Sequence, residues 1–148
     1  MNYRPNVAAV VRKPGGWILI AERSDYPGSW QFPQGGVKRN ETHPAALARE
    51  IMEEIGLRPS KYRVAGECGP FRYQFRSGRR KEGFVGQEQI YYLVDLLDPK
   101  VSFFFSGDPP EFRAVRWIRP AHFDLDWLPP MKQPVYRQVF EEFFGVGL

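Results

Sequence analysis

The sequence has one cysteine, no apolar run of membrane length, no internal repeat and no low-complexity tract in its 148 residues. Cys68 standing alone forms no internal disulfide, which excludes a cross-linked scaffold and favours a reducing compartment. No uncharged apolar stretch approaches the roughly 20 residues that span a bilayer, and the opening MNYRPN lacks the apolar centre of a signal peptide. A cytoplasmic protein with no membrane partner is therefore expected. What is present, 43% hydrophobic, 26% charged and 16% aromatic residues, is the balance of a single domain over residues 1–148. A chain of this length buries roughly two thirds of the surface it exposes when unfolded, enough for a core without staples. Lysine and arginine number 21 against 17 acidic residues, a net charge of +4. So small an excess fits an anionic partner and ordinary solubility equally well, and the placement of the charges has to decide.

Two short runs rich in β-forming residues, Val7 to Val11 and Trp17 to Ala21, flank Lys13-Pro14-Gly15-Gly16 and read as a hairpin. Pro27-Gly28 and Phe32-Pro33-Gln34-Gly35-Gly36 mark irregular backbone. His43 to Ile55 then follows helical periodicity, with Thr42 as N-cap, Pro44 in the first turn and Gly56 as the C-terminal cap. Beyond Pro59 the period shortens to that of strands. Tyr62 to Ala65, Phe71 to Phe75 and Gln89 to Leu97 fit it, with the charged loop Ser77-Gly78-Arg79-Arg80-Lys81 between the last two. Val115 to Ile118 is a further strand, and Val135 to Phe144 a closing helix whose Val135, Val139, Phe140 and Phe143 share a face. Strands on both sides of a central helix, and a second helix at the end, predict an α/β fold with a mixed sheet between helices.

On a wheel of ~100° per residue, Leu47, Ala48, Ile51, Met52 and Ile55 fall within about 140°, and Glu50, Glu53 and Glu54 fill a separate arc about 100° wide. Like charges at these spacings repel, so the helix alone gains nothing from the cluster and something cationic has to compensate. Arg49 and solvent are one answer. A divalent cation held by carboxylate oxygens is the other. No Cys or His joins the cluster, and such hard ligands select Mg²⁺, or Mn²⁺, over Zn²⁺.

The glutamates belong to a longer pattern: Gly35, five residues, Glu41, seven residues, Arg49-Glu50-Ile51, one residue, Glu53-Glu54, one residue, Gly56-Leu57. This resembles the Nudix box at every fixed position. The resemblance implies a Nudix α/β/α sandwich and metal-dependent hydrolysis of a nucleoside diphosphate linked to another group. It also implies that Glu50, Glu53 and Glu54 are metal ligands, that the Gly35 backbone carbonyl approaches the ion, and that Glu41 pairs with Arg49 to lock the loop onto the helix. The position before Glu41 is commonly Gly in the family and is Asn40 here, which tolerates left-handed backbone nearly as well. Chemistry accounts for the pattern. A phosphoanhydride carries several negative oxygens that repel a nucleophile, and carboxylates on one rigid helix hold the cations that offset them.

Outside the box, Tyr3-Arg4-Pro5-Asn6-Val7, Trp30-Gln31-Phe32-Pro33-Gln34-Gly35-Gly36, Gly86-Gln87-Glu88-Gln89, Pro110-Glu111-Phe112 and Val135-Tyr136-Arg137 resemble the dinucleoside polyphosphate hydrolase and RNA pyrophosphohydrolase branch. In that branch Glu111 answers to an extra glutamate outside the helix, a metal ligand or general base, so the implied catalytic set is Glu53, Glu54 and Glu111. Arg4 and Arg23 match cations on the phosphate chain, where guanidinium geometry suits the oxygens. Gln87 and Gln89 fall in the branch's Gly-Gln-x-Gln motif, and Lys132 matches a basic position near the nucleotide pocket. Phe71, Tyr73 and Phe75 alternate with Arg72, Gln74 and Arg76, either as a core face or with Tyr73 as a platform for a base. The Arg79-Arg80-Lys81 loop is a solvated turn, or it steers RNA to the site. The expected substrate is an RNA 5′-triphosphate end or a dinucleoside polyphosphate, with no DNA duplex as partner. A hydrolase of free nucleoside triphosphates and a noncatalytic nucleotide or RNA sensor are the alternatives, and the intact glutamates argue against the sensor. The oligomeric state is open.

Overall fold

A computed structural model describes residues 2–76 and 79–148. Among them, seven strands form one sheet: Tyr3–Lys13 (β1), Trp17–Arg23 (β2), Trp30–Gln31 (β3), Gln34–Gly36 (β4), Tyr62–Gln74 (β5), Gly86–Leu96 (β6) and Phe112–Ile118 (β7). Two helices accompany them, His43–Ile55 (α1) and Gln133–Phe144 (α2). The hydrogen-bonded order is β3-β2-β1-β6-β5, with β4 added to β1 and β7 to β2. β1 and β6 run parallel from Tyr3↔Gly86 to Arg12↔Asp95, and the other pairings are antiparallel, so the sheet is mixed.

The unbroken apolar run Val7–Val11 fits a central strand covered on both faces. Val7, Ala9 and Val11 share a core with Leu47, Ile51 and Ile55 of α1. Ala8 and Val10 point the other way and share a core with Tyr136, Val139 and Phe140 of α2. Alternation along one strand thus divides the protein into an α/β/α sandwich with a core on each side of the sheet. On the α2 side the core is largely aromatic: Phe32 stacks on Tyr136 with ring centroids 5.0 Å apart.

Helix α1 has the predicted bounds. The Thr42 hydroxyl oxygen accepts from the Ala45 N–H at 3.2 Å, and Gly56 closes the helix in left-handed backbone at φ 72°, its N–H donating to the Met52 carbonyl. Asn40 likewise takes a positive φ of 65° in the loop before α1.

Several sequence expectations are corrected. The tract from Phe32 to Gly36 is not irregular throughout, because β4 pairs with β1, and just before it β3 pairs with β2. Neither is long enough to show period-two patterning, so only the partner strands reveal them. Tyr62 to Ala65 and Phe71 to Phe75 fall on one strand, β5, which ends at Gln74 and has irregular register between Val64 and Gly66 and between Cys68 and Phe71. Bulges shift the side-chain alternation and make one strand look like two in sequence. Met52 is 38% exposed, whereas Glu54, assigned to the polar arc, is 8% exposed. The sheet covers a narrower stripe of α1 than the wheel allows, and the loop carrying β4 covers its acidic edge. Of the charged loop, Ser77 and Gly78 lie outside the described residues. Arg79 and Arg80 are exposed, and Lys81 bridges to Phe84. Among the described residues, no helix is long and apolar enough to cross a membrane.

Candidate active site

Arg49 organises the junction between β4 and α1. Its guanidinium takes both oxygens of Glu41 at 2.8 and 2.9 Å, a planar two-point match, and also donates to the Gly36 carbonyl at 2.9 Å and to Glu50 Oε1 at 2.7 Å. Glu41 in turn accepts from the Lys38 backbone N–H at 2.9 Å. The Arg49 guanidinium first, and that N–H second, pull the Glu41 carboxyl down to about 2. The pairing inferred for Glu41 and Arg49 is present, and it ties the loop to the helix at two acceptor groups, Glu41 and the Gly36 carbonyl, while Glu50 and Glu53, the latter 3.4 Å from the guanidinium, hold Arg49 from within the helix.

Beside this junction lies a cleft of about 480 Å³. Glu50, Glu53 and Glu54 of α1 line it together with Glu111, which comes from the segment before β7 and is far from the others in sequence. Gly35 and Gly36 form its floor, and Arg4 of β1 with Lys81 supplies the positive charge among the lining residues. The glycines are required sterically. A Cβ at Gly35 would overlap the Glu50 carboxylate, and one at Gly36 would overlap the Arg4 guanidinium. Glu54 accepts from the Gln34 backbone N–H at 3.2 Å. Burial above all, then the Glu50 carboxyl within hydrogen-bond reach and the charges of Glu50 and Glu111, hold the Glu54 carboxyl well above the ordinary carboxylate range. With four carboxyl groups against two cations among its lining residues, this cleft is rich in acidic groups.

The sequence matches the model of the NUDIX domain over residues 2–143. The chain belongs to the Nudix family. Among curated relatives, the RNA pyrophosphohydrolase of Helicobacter pylori strain P12 is 40% identical over 152 aligned positions, covering 99% of this chain and 96% of that protein. The RNA pyrophosphohydrolase of Marinomonas sp. strain MWYL1 is 34% identical, with 95% and 90% covered. The fold matches the E. coli dihydroneopterin triphosphate pyrophosphohydrolase with TM-score 0.69 at 20% identity, covering 97% of each chain. It matches a C. elegans Ap4A hydrolase equally well, with TM-score 0.69 at 17% identity and 96% and 98% covered.

Nudix hydrolases generally use divalent metal ions, and the donor set of this Nudix chain fits one. Its oxygens come from carboxylates, hard ligands suited to a hard cation, and the charges of Glu50 and Glu111, which add to burial in raising the Glu54 carboxyl, are ones a cation would neutralise. Among the described residues, no three acidic, histidine or cysteine side chains are gathered as a ready cage. Glu50 is engaged by Arg49, and the Glu53 side chain is 54% exposed.

The remaining sequence candidates divide into three places. Arg4 and Gln87 line the cleft, side by side in the β1–β6 register, and the Gln87 side-chain oxygen is buried without a hydrogen-bond partner. Arg23 is held by Asp25 at 2.7 and 2.9 Å and lines an adjoining cavity with Tyr26, Arg76, Trp127 and Met131. Lys132, Tyr73 and Gln89 are buried, and none of them lines the carboxylate cleft. Lys132 donates to Gln31 Oε1 at 3.4 Å and sits 5.8 Å from the centre of the Tyr73 ring. Burial, and then the charge of Arg23, bring the Lys132 ammonium down to about 8. Tyr73 is 6% exposed and belongs to the α2-side core, so it stands as a core residue with Lys132 over its ring rather than as an open platform. Gln89 is closed between Asn6 and Tyr91. Asn6, Gln34 and Ser106 line the cleft although the sequence pointed to no role for them, and Lys81, of the loop read as a solvated turn or an RNA-steering segment, lines it too. Asn6 and Gln34 were visible inside the quoted motifs, and an amide beside a glycine pair was the signal available.

Proposed function

We propose that this Nudix chain is a metal-dependent pyrophosphohydrolase that removes pyrophosphate from RNA 5′-triphosphate ends and also accepts dinucleoside polyphosphates. It uses Mg²⁺, with Mn²⁺ as substitute, and works in the cytoplasm. The observation that carries this reading is the convergence of Glu50, Glu53 and Glu54 with Glu111 and Arg4 in one cleft. Near-full-length relatives named RNA pyrophosphohydrolase support the choice of substrate.

An acidic cleft repels a polyphosphate unless cations stand between them, which is the electrostatic reason for reading the glutamates as ion holders. Glu50, Glu53, Glu54 and Glu111, with the Gly35 carbonyl, would hold the ion. A divalent cation bound there supplies charge neutralisation at the phosphate oxygens and a more acidic water. Arg4 would add a guanidinium for the phosphate chain, and Glu111, which is exposed and lines the cleft, would take a proton from the attacking water. Arg49 and Glu41 keep Glu50 and the Gly35-Gly36 backbone in place. Arg23, in the wall of the adjoining cavity, and Lys132, buried over the Tyr73 ring, would supply positive charge for the nucleotide portion.

The test is product release from 5′-triphosphorylated RNA and from diadenosine tetraphosphate, side by side, with Mg²⁺ and with chelator. Metal-dependent pyrophosphate release from the RNA is expected. Turnover of the dinucleotide with the RNA left intact would overturn the RNA assignment, and preference for free nucleoside triphosphates would overturn both.

A further inference from the structure

Behind the carboxylates, four side chains form a continuous hydrogen-bond chain from the core to the cleft. The Tyr91 hydroxyl donates to Gln89 Oε1 at 2.7 Å, Gln89 Nε2 donates to Asn6 Oδ1 at 3.0 Å, and Asn6 Nδ2 donates to Gln34 Oε1 at 2.8 Å. Tyr91, Gln89 and Asn6 are 1%, 2% and 1% exposed, whereas Gln34 is half-buried and lines the cleft. Strand register produces the chain. Asn6 stands beside Gln89 in the parallel β1–β6 pair, and β4 brings Gln34 opposite Ala8 on the same β1.

The direction of the chain decides what the cleft sees. Each amide has an acceptor end and a donor end, so a row of amides has two possible polarities. In the reversed polarity Gln89 Nε2 would donate to the Tyr91 oxygen, and the Tyr91 O–H would lose the one acceptor it has among the described residues. A buried hydroxyl proton without an acceptor is strongly disfavoured, so Tyr91 sets the polarity as the donor. The order then propagates along the row. Gln34 Oε1 is taken by Asn6, and Gln34 Nε2, with no protein partner among the described residues, is the end left for the cleft. An amide N–H is a donor only. It cannot ligate a cation, and it suits an oxygen that only accepts, as ionised phosphate oxygens do.

We infer that Gln34 Nε2 binds a phosphate oxygen of the substrate and that Tyr91, acting through Gln89 and Asn6, holds the donor end of Gln34 toward it. This rests on the proposed phosphoanhydride substrate. Gln34 is the residue that touches substrate, and Tyr91, Gln89 and Asn6 are positioning residues. The backbone N–H of Gln34 serves Glu54 at the same time, so one residue faces the carboxylates with its main chain and the phosphates with its side chain.

The experiment compares wild type, Gln34→Glu, Tyr91→Phe and the double variant in steady-state hydrolysis of 5′-triphosphorylated RNA. Calorimetric binding of Mn²⁺, and of inorganic tripolyphosphate with Mg²⁺, is measured on each. Gln34→Glu keeps an acceptor for Asn6 and replaces the donor by a carboxylate oxygen. It should raise KM, and weaken tripolyphosphate, by about tenfold or more, with kcat changed far less. Tyr91→Phe removes the donor that fixes polarity without altering any group in the cleft. It should raise KM a few-fold at unchanged Mn²⁺ affinity, and in the Gln34→Glu background it should add nothing, because a carboxylate has no polarity to fix. Unchanged KM and tripolyphosphate affinity in Gln34→Glu would overturn the inference. So would a Tyr91→Phe variant that only melts earlier, one whose KM rise follows a loss of Mn²⁺ affinity, or additive effects in the double variant. Absence of hydrolysis by wild type would refute the proposed activity instead, and the tripolyphosphate comparison would still decide the role of Gln34.

Discussion

Glu53 and Glu54 are neighbours in sequence with opposite environments, one with a half-exposed side chain beside Arg49 and the other buried under Gln34. On the proposed reading Glu53 reaches the ion from the open side, and Glu111 stands outside the helix. Glu53→Gln is expected to lower kcat on the order of a hundredfold or more, and Glu111→Gln by less, in assays at saturating Mg²⁺. Equal or reversed losses would exchange their roles. Lys132 gives a pH prediction. Its ammonium falls from the ordinary 10.5 to about 8, first because it is buried and then because of Arg23. The native state therefore binds fewer protons than the unfolded chain between those values, and stability rises with pH across the interval. This contribution is complete above about 10.5 and is lost as pH falls through about 8. Melting temperatures recorded across this window should rise more steeply in wild type than in Lys132→Met. Matching slopes would show that Lys132 keeps its ordinary proton affinity.

At the scale of elements, the segment from Trp30 to Gly36 is held from both sides of the sheet. Arg49 of α1 takes the Gly36 carbonyl, and on the other side the Phe32 N–H donates to the Tyr136 hydroxyl oxygen of α2 at 3.0 Å. Tyr136→Phe leaves that buried N–H without its acceptor while keeping the ring stack. The expected cost is about 1–3 kcal/mol, and each kcal/mol lowers the melting temperature by about 2–4 °C in a domain of this size. A melting temperature unchanged from wild type would mean that water replaces the hydroxyl. The two helices differ in how they could be read. α1 shows a cap at each end, at Thr42 and Gly56, and its bounds follow from those residues. α2 begins two residues before the apolar stripe at Val135, because Gln133 and Pro134 form its first turn and carry no hydrophobic signal.

At the scale of the whole molecule, ion binding is linked to folding. A cation that neutralises crowded carboxylates in the native state stabilises it by RT ln(1 + [L]/Kd), about 2.7 kcal/mol at a hundredfold excess over Kd. Mn²⁺ should therefore raise the melting temperature of the chelator-treated protein, and Glu53→Gln should reduce that rise. A melting temperature indifferent to Mn²⁺ would argue against ions held by this cleft. The order of elements, the caps of α1 and the Gly35-to-Leu57 pattern were all legible in the sequence, because each rests on residues close together along the chain or on a spacing that one helix enforces. Glu111 was legible only through resemblance. Composition gives no reason to single it out, and the sheet is what carries it across to α1. Tyr73 and Gln89 carry the motif chemistry but are buried, a distinction that period-two patterning cannot make, since both faces of this sheet are covered. By itself the sequence determined that three glutamates share one face of a capped helix after a glycine loop. Only the tertiary structure decided which of them is buried, which distant residues join them, and which end of Gln34 faces the cleft. Burial and strand register depend on partners far away in the chain, and no local pattern encodes them.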